Sequence, residues 1–212
     1  STNDIVDQMA RAGVAEGAVV FAESQTRGRG RLGRQWSSPS HRGLWVSILL
    51  RPFLPPQSVT QITIAAAIAL TRTVEAKTGL RPEIKWPNDV LVGSRKLAGI
   101  LTEMHAELDR VRYVVLGIGV NANQTAGDFP AELRRFATSL RIGTGEPVDR
   151  AEIAAALLVE MDRDYVRLGH GQFEAIADEW ESRCSTIGAN VVIQTGHRRV
   201  RGRAESLDSE GA

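Results

Sequence analysis

The chain has 212 residues, enough to bury the core of one main domain and a small appendage. Its 26 basic and 25 acidic side chains almost cancel, which excludes a protein that binds nucleic acid or membranes through its overall charge. The single cysteine, Cys184, excludes an internal disulfide and is typical of a reducing compartment.

The apolar segments are too short to cross a bilayer. The most apolar run, residues 62–70, continues directly into Thr71-Arg72-Thr73. The first residues lack the basic region and apolar stretch of a signal peptide. The sequence therefore predicts no membrane association and a cytoplasmic location.

Hydrophobic periodicity predicts both helices and strands. The predicted helices cover about residues 3–11, 58–77, 150–168 and 173–181. The predicted strands cover residues 19–23, 44–50, 83–86, 90–92, 96–105 and 112–120. Gly93-Ser94 lies between two apolar stretches and predicts a hairpin over residues 89–96. The pattern favours an α+β fold with a mixed, largely antiparallel sheet flanked by helices.

The last part of the chain has a different pattern. Short strands are predicted at residues 191–194 and 199–204, with Gly196-His197 between them. We therefore predict a main domain over residues 1–183 and a small, partial domain over residues 184–212, too short to close a barrel. No segment has the pattern of a DNA-recognition helix, so the chain as given is not expected to bind specific DNA sequences.

An arginine- and glycine-rich segment follows the first predicted strand. Residues 25–36, here called the arginine loop, contain four arginines and three glycines. Glycines allow the backbone to approach a ligand closely, and arginines donate forked hydrogen bonds to anions. The pattern predicts an anion-binding loop, although an RNA-binding segment or a solvated basic loop would have a similar composition.

Two lysine-containing blocks lie further along the chain. In the first, Lys85 precedes Trp86-Pro87-Asn88-Asp89, and Pro87 keeps the residue before it out of a helix. Lys85 is therefore predicted at the end of a strand with a fixed turn after it, where an ammonium group can hold a carboxylate or phosphate. The second block, residues 96–101, begins with Lys96 and opens another apolar stretch.

Together these segments resemble the catalytic domain of biotin protein ligases. The matching segments are Ser1-Thr2-Asn3, residues 28–34 after Gln25, and residues 85–89, 96–101, 117–121 and 138–140, in the family's order. The resemblance implies a catalytic domain like those of biotin and lipoate ligases and class II aminoacyl-tRNA synthetases, followed by part of a small SH3-like β-barrel.

The resemblance also implies a two-step reaction. Biotin and ATP, which brings Mg²⁺ with it, would give biotinyl-5′-AMP and pyrophosphate. One lysine of a biotin carboxyl carrier domain would then take the biotin. Homodimer formation is a further expectation that the sequence leaves open.

The family's site residues transfer to matching positions here. The implied biotin-binding residues are Ser1, Thr2, Asn3, Gln25, Gly28, Arg29, Gly30, Arg31, Lys85, Gly117 and Gly119. The implied ATP or adenylate residues are Arg31, Arg34, Trp36, Asn88, Lys96 and Asn121. Arg31 and Lys85 are the implied catalytic residues, and no protein metal site is expected, because the four histidines, including His197, lack ligand spacing.

Several of these residues have simpler alternatives. Ser1 to Asn3 could only cap the first helix, Gly117 and Gly119 could mark a bulge or close packing, and Asn121 could be a turn residue. A lipoate or octanoate ligase of the same superfamily is the main alternative function. A nucleic-acid module that uses the arginine loop is a weaker alternative, because it leaves the two lysine blocks unexplained.

Overall fold

The structure is a computed structural model that describes residues 1–107, 110–196 and 198–211. The predicted turn residue His197 lies outside the described residues. The described part contains one six-stranded sheet with helices on both faces and a separate two-stranded hairpin. Within it, no helix combines the length and apolar composition needed to cross a membrane.

The main sheet is antiparallel throughout. Its strands are β1 (Val19–Ala22), β2 (Leu44–Leu50), β3 (Pro82–Lys85), β4 (Asp89–Val92), β5 (Arg95–Glu107) and β6 (Arg110–Val120), in the order β1-β2-β6-β5-β4-β3. The predicted hairpin is confirmed as β4 and β5, joined by Gly93 and Ser94 with φ of 56° and 61°. The predicted α+β fold is confirmed.

Among the described residues, five α-helices accompany the sheet: α1 (Thr2–Arg11), α2 (Thr60–Thr78), α3 (Leu140–Thr144), α4 (Arg150–Gly169) and α5 (Phe173–Arg183). Four were predicted. The short α3 was not predicted, because a single turn is too short to show helical periodicity. Ser139 caps this helix, with its side-chain oxygen accepting from the Ile142 amide at 3.1 Å. The long α2 is buried along most of its length and ends at Gly79, whose φ of 69° suits glycine.

Strand alternation separates the core from an open face of the sheet. Leu44, Val46, Ile48 and Leu50 of β2 join the main core, which also contains apolar residues of α2, α4 and α5. The residues between them point to the opposite side, where Leu49 joins a small cluster with Val6 of α1. We call this second side of β2, β6 and β5 the site face.

The C-terminal part contains β7 (Asn190–Thr195) and β8 (Arg198–Arg203), which pair as an antiparallel hairpin. Its connection to the main sheet begins at β3, where the Ser185 amide donates to the Ile84 carbonyl at 2.9 Å. The described residues of this part form no closed barrel. The division into domains at residues 183 and 184 stays a prediction.

One buried ion network joins the three long helices. Arg72 of α2 donates to Glu179 of α5, with Nε 2.8 Å from Oε1, and to Asp164 of α4, with Nη1 2.8 Å from Oδ2. The bonds to Glu179, strengthened by the charge of the fully buried Asp164, raise the pKa of Arg72 despite its partial burial. The same contact lowers the pKa of Glu179.

Replacing Arg72 with methionine should destabilise the fold by about 3 kcal/mol, because it leaves buried Asp164 with Arg167 as its remaining partner. Arg163→Met is the matched control, since Arg163 is largely exposed and forms a longer ion pair with Glu160 on the same helix. Urea unfolding of both variants checks this expectation. Equal midpoints for the two variants would contradict it.

Candidate active site

A cavity of about 1300 Å³ opens on the site face. Its walls come from the start of α1, the arginine loop, residues 86–88 between β3 and β4, the segment that precedes α3, and the C-terminal hairpin. Five of the six predicted motifs therefore meet in one place, although Ser1 and Asn121 are 120 residues apart in the sequence; residues 138–140 do not line the cavity.

Glycines give the floor of the cavity its shape. Gly119 of β6 pairs with Gly99 of β5, and the Trp36 ring lies on both. A Cβ on Gly119 would lie 2.8 Å from the indole, and one on Gly99 would lie 3.0 Å from it. Gly117 leaves room for the Asn3 amide in the same way. For Gly117 and Gly119, the sequence left a bulge or close packing as alternatives to a ligand role, and the structure shows close packing.

Uncharged polar groups form one end of the cavity. Thr2, Asn3 and Gln25 line this end, and the fully buried Ser47 lies behind them; we call these four residues the polar end. The Thr2 amide donates to Gln25 Oε1 at 3.0 Å, and Ser47 Oγ lies 2.6 Å from Asn3 Oδ1 and 2.7 Å from Thr2 Oγ1. Ser1 also lines the cavity and is the N-cap residue of α1, so the helix-capping alternative holds, while its predicted contact with biotin stays a prediction. The polar end suits a neutral ligand group with donors and acceptors.

The arginine loop is a tight hairpin. The Gly30 amide donates to the Arg34 carbonyl at 2.7 Å, and the Trp36 amide donates to the Gly28 carbonyl at 3.0 Å. Gly28 is buried under the loop and does not line the cavity, unlike the other predicted site residues. A Cβ at this position would overlap the Trp36 carbonyl, so the position requires glycine for the packing of the loop.

Arg29 is paired with protein carboxylates. Its guanidinium donates to Asp4 and, at 3.1 Å, to both oxygens of Glu103 on β5. Burial raises the pKa of Asp4, but the hydrogen bond and charge of Arg29, with those of the chain's amino group, outweigh it, so the net pKa lies below its usual range. Asp4 therefore stays ionised near neutral pH and holds the loop beside α1.

Three other cations at the cavity have no such partners. Arg31, Arg34 and Lys85 line the cavity and are exposed. Within the described ranges, none of their side chains forms an ion pair or a hydrogen bond. Lys85 is the last residue of β3, as predicted. Unpaired cations in a concave site are available to an anionic ligand.

Lys96, Asn88 and Asn121 line the cavity but already have protein partners. Lys96 Nζ lies 2.7 Å from Asp89 Oδ1 and 5.1 Å from the centre of the Trp36 ring. Asn88 Nδ2 donates to the Ile100 carbonyl at 2.7 Å, and Asn121 Nδ2 donates to the Thr138 carbonyl at 3.0 Å. These two amides hold the cavity walls in place, and their predicted contacts with the adenylate stay predictions.

The sequence prediction missed several groups. Glu103, Asp4 and Ser47 contact the predicted residues directly, and Gly99 shares the floor with Gly119. Residues of the C-terminal hairpin, among them Val191 to Gln194, also line the cavity. Strand alternation was the available signal for Glu103, because residues 99, 101 and 103 of one strand share a face.

The geometry defines a class of protein before any comparison. An α+β domain holds a cavity with a neutral polar end, an aromatic floor and three unpaired cations. Such a cavity suits a small molecule with a neutral polar group at one end and anionic groups at the other. The fold and the cavity therefore define an α+β domain that binds a small molecule with negative charge at one end.

The chain belongs to the Biotin/lipoate A/B protein ligase family, whose sequence profile matches residues 1–121. It is similar to the bifunctional ligase/repressor BirA of Bacillus spizizenii, with 44% identity over 100% of this chain and 65% of that protein. It is also similar to the biotin–[acetyl-CoA-carboxylase] ligase of Mycobacterium tuberculosis, with 35% identity over 100% of this chain and 78% of that protein.

A solved structure has the same fold. The biotin protein ligase from Aquifex aeolicus in complex with biotin and ATP superposes with a TM-score of 0.83 and 29% identity, over 100% of this chain and 85% of that chain. The resemblance to biotin protein ligases that the sequence predicts is confirmed. The chain spans 65% of the length of its Bacillus relatives.

Proposed function

We propose that this chain activates biotin with ATP and transfers it to a lysine of a biotin carboxyl carrier domain. One observation carries the proposal: a single cavity joins the neutral polar end to three unpaired cations, Arg31, Arg34 and Lys85. Biotin has the same two-ended character, with a neutral ureido ring and a carboxylate. The names of the relatives and of the similar solved structure support the same ligand.

In the first step, a carboxylate oxygen of biotin attacks the α-phosphorus of ATP. The new bond gives the mixed anhydride biotinyl-5′-AMP, and the bond to the β-phosphate breaks to release pyrophosphate. Because two anions must approach each other, the site has to supply oriented positive charge. Lys85 would hold the carboxylate, Arg31 the α-phosphate and Arg34 the β- and γ-phosphates. Mg²⁺ enters as part of the ATP substrate.

The adenylate would lie over the aromatic floor. Trp36 offers a ring that lines this part of the cavity. Lys96 lies over the same ring. Asn88 and Asn121 line this part of the cavity. Stacking on an indole is a common way to hold a purine ring.

In the second step, the amine of the acceptor lysine attacks the acyl carbon of the anhydride. AMP leaves with the bonding electrons, the amine loses a proton, and an amide bond forms. The adenylate must be protected from water until the acceptor arrives. The arginine loop is the element placed to cover it.

We expect biotin to slow hydrogen exchange across residues 27–36, because the unpaired charges of Arg31 and Arg34 repel each other until an anion binds between them. Exchange is measured by mass spectrometry with and without biotin and ATP. Residues 60–78 of the buried helix α2 serve as the internal control. Equal protection of the loop in both states would count against closure.

Lipoate or octanoate activation is the second candidate, because the family name includes lipoate ligases. The polar end argues against it, since an alkyl chain offers no group to Thr2, Asn3 or Gln25. The nucleic-acid alternative loses support because Arg29 is paired with carboxylates and two other loop arginines line a concave cavity.

Three further expectations stay predictions: homodimer formation, a cytoplasmic location, and the lack of sequence-specific DNA binding by the chain as given. The repressor activity in the names of the Bacillus relatives is not proposed for this chain.

Transfer is tested with a purified biotin carboxyl carrier domain and mass spectrometry of the product. We expect one biotin per carrier, on a single lysine, and no labelling of a carrier in which that lysine is arginine. Labelling of many lysines on both carriers would contradict transfer within a specific complex.

A further inference from the structure

Glu103 lies where the polar end meets the arginine loop. It is on β5, and its Cα pairs with Val115 of β6 in the interior of the sheet. We infer that Glu103 is a positioning residue: it sets the hydrogen-bond direction of the polar end and holds the arginine loop beside it. The inference rests on the proposed function only in naming biotin as the ligand of the polar end.

The Glu103 carboxylate serves two partners at once. Oε2 accepts from Asn3 Nδ2 at 2.6 Å, and both oxygens lie 3.1 Å from Nη2 of Arg29. Asn3 is 4% exposed whereas the Glu103 side chain is 36% exposed, so the bond is shielded from water at its Asn3 end. Through Asn3 the carboxylate contacts the polar end of the cavity, and through Arg29 it contacts the arginine loop.

The first contact fixes the direction of the polar end. A carboxylate can only accept hydrogen bonds, so it requires the nitrogen of the Asn3 amide and turns Oδ1 toward Ser47. The single hydroxyl proton of Ser47 then goes to that oxygen, because an amide oxygen cannot donate. Gly117 leaves room for the Asn3 side chain alone. One carboxylate therefore decides which donors and acceptors the polar end presents to a ureido group.

The second contact fixes the loop. Arg29 is the loop arginine that bonds to both α1, through Asp4, and β5, through Glu103. Arg31, Arg34 and Trp36 follow on the same short hairpin. Loosening Arg29 would therefore move the loop residues that face the anionic part of the ligand. A flipped Asn3 amide would instead change the donors and acceptors that the polar end presents to the neutral part of the ligand.

Glu103→Gln tests both contacts with little change of shape. A glutamine removes the negative charge and replaces one carboxylate oxygen with an NH2 group that can only donate, so it weakens both contacts and turns a donor toward Arg29 or Asn3. Biotin should bind at least about tenfold more weakly, the expected effect of losing one hydrogen bond to a charged group. The KM for ATP should rise as well, because Arg31 and Arg34 are on the loosened loop, and hydrogen exchange across residues 27–36 should be faster without any ligand.

Glu107→Gln is the matched control. Glu107 is on the same strand, is largely exposed and pairs with Arg112 at 3.4 Å, away from the cavity. Arg29→Gln and the double variant complete a cycle, in which the two changes should be less than additive in biotin affinity. Urea unfolding confirms that each variant is folded.

The outcomes separate the inference from the proposed function. If Glu103→Gln matches Glu107→Gln in loop exchange and in biotin affinity, the positioning role is wrong. If the parent protein binds no biotin, the proposed function fails, and the exchange rates of the ligand-free loop still decide whether Glu103 holds it. If the losses of biotin affinity in Glu103→Gln and Arg29→Gln add up fully in the double variant, the two residues do not act together and the inference is wrong.

Discussion

Replacing Lys85 with glutamine is expected to slow formation of the adenylate by about 100- to 1000-fold, the usual cost of removing one oriented group that stabilises transition-state charge. Lys85 ends β3 at the cavity and forms no ion pair within the described ranges, so its charge is available to the substrates. A glutamine keeps most of the length but cannot neutralise a carboxylate that approaches a phosphate. Single-turnover measurement of biotin-dependent pyrophosphate release checks the rate.

Lys77→Gln is the control for this variant. Lys77 lies on α2 and pairs with Glu152 of α4 at 2.6 Å, and it does not line the cavity. Loss of such a surface pair should leave the rate within about twofold, since exposed ion pairs contribute little. Similar rates for Lys85→Gln and Lys77→Gln would remove Lys85 from the proposed mechanism.

Replacing Arg31 with glycine is expected to release biotinyl-5′-AMP about 10- to 100-fold faster, the effect of losing a hydrogen bond between a charged donor and a phosphate. The freed anhydride would then acylate lysines of unrelated proteins. Rapid dilution of the preformed complex, followed by quantification of free adenylate, measures the release rate. Labelling of an added bystander protein gives a second readout.

Arg27→Gly is the matched control for Arg31→Gly. Arg27 is exposed on the same loop but does not line the cavity, and its replacement adds the same backbone freedom. If both variants retain the adenylate equally well, the phosphate contact assigned to Arg31 is wrong. If both release it equally fast, loop flexibility rather than the Arg31 charge controls release.

The sequence predicted the parts of the site that depend on local chemistry. Lys85 was predicted at a strand end because Pro87 restricts the residue before it, and β3 does end there. Gly117 and Gly119 were predicted to allow close approach, and Asn3 and Trp36 occupy the space that they leave. Most strands and all the longer helices also follow directly from hydrophobic period.

Groups defined by pairing across the sheet were not predicted. Strand alternation places Glu103 on the same face as Gly99, but its contacts with Asn3 and Arg29 appear only when α1 and the arginine loop are seen against β5. Nothing in the sequence indicates that Arg29 is neutralised by Asp4 and Glu103, so Arg29 was predicted to bind the ligand together with Arg31 and Arg34. Gly28 illustrates the same point, because its packing against the Trp36 carbonyl depends on how the loop folds back.

The central claim is that this cavity activates biotin. The most direct measurement is ATP-dependent pyrophosphate release by this chain with biotin, lipoate or octanoate as the acid. We predict release with biotin, and none above background with the other two acids, because the polar end of the cavity matches a ureido ring. Release with lipoate or octanoate but not with biotin would contradict the account and move the chain to the lipoate branch of its family.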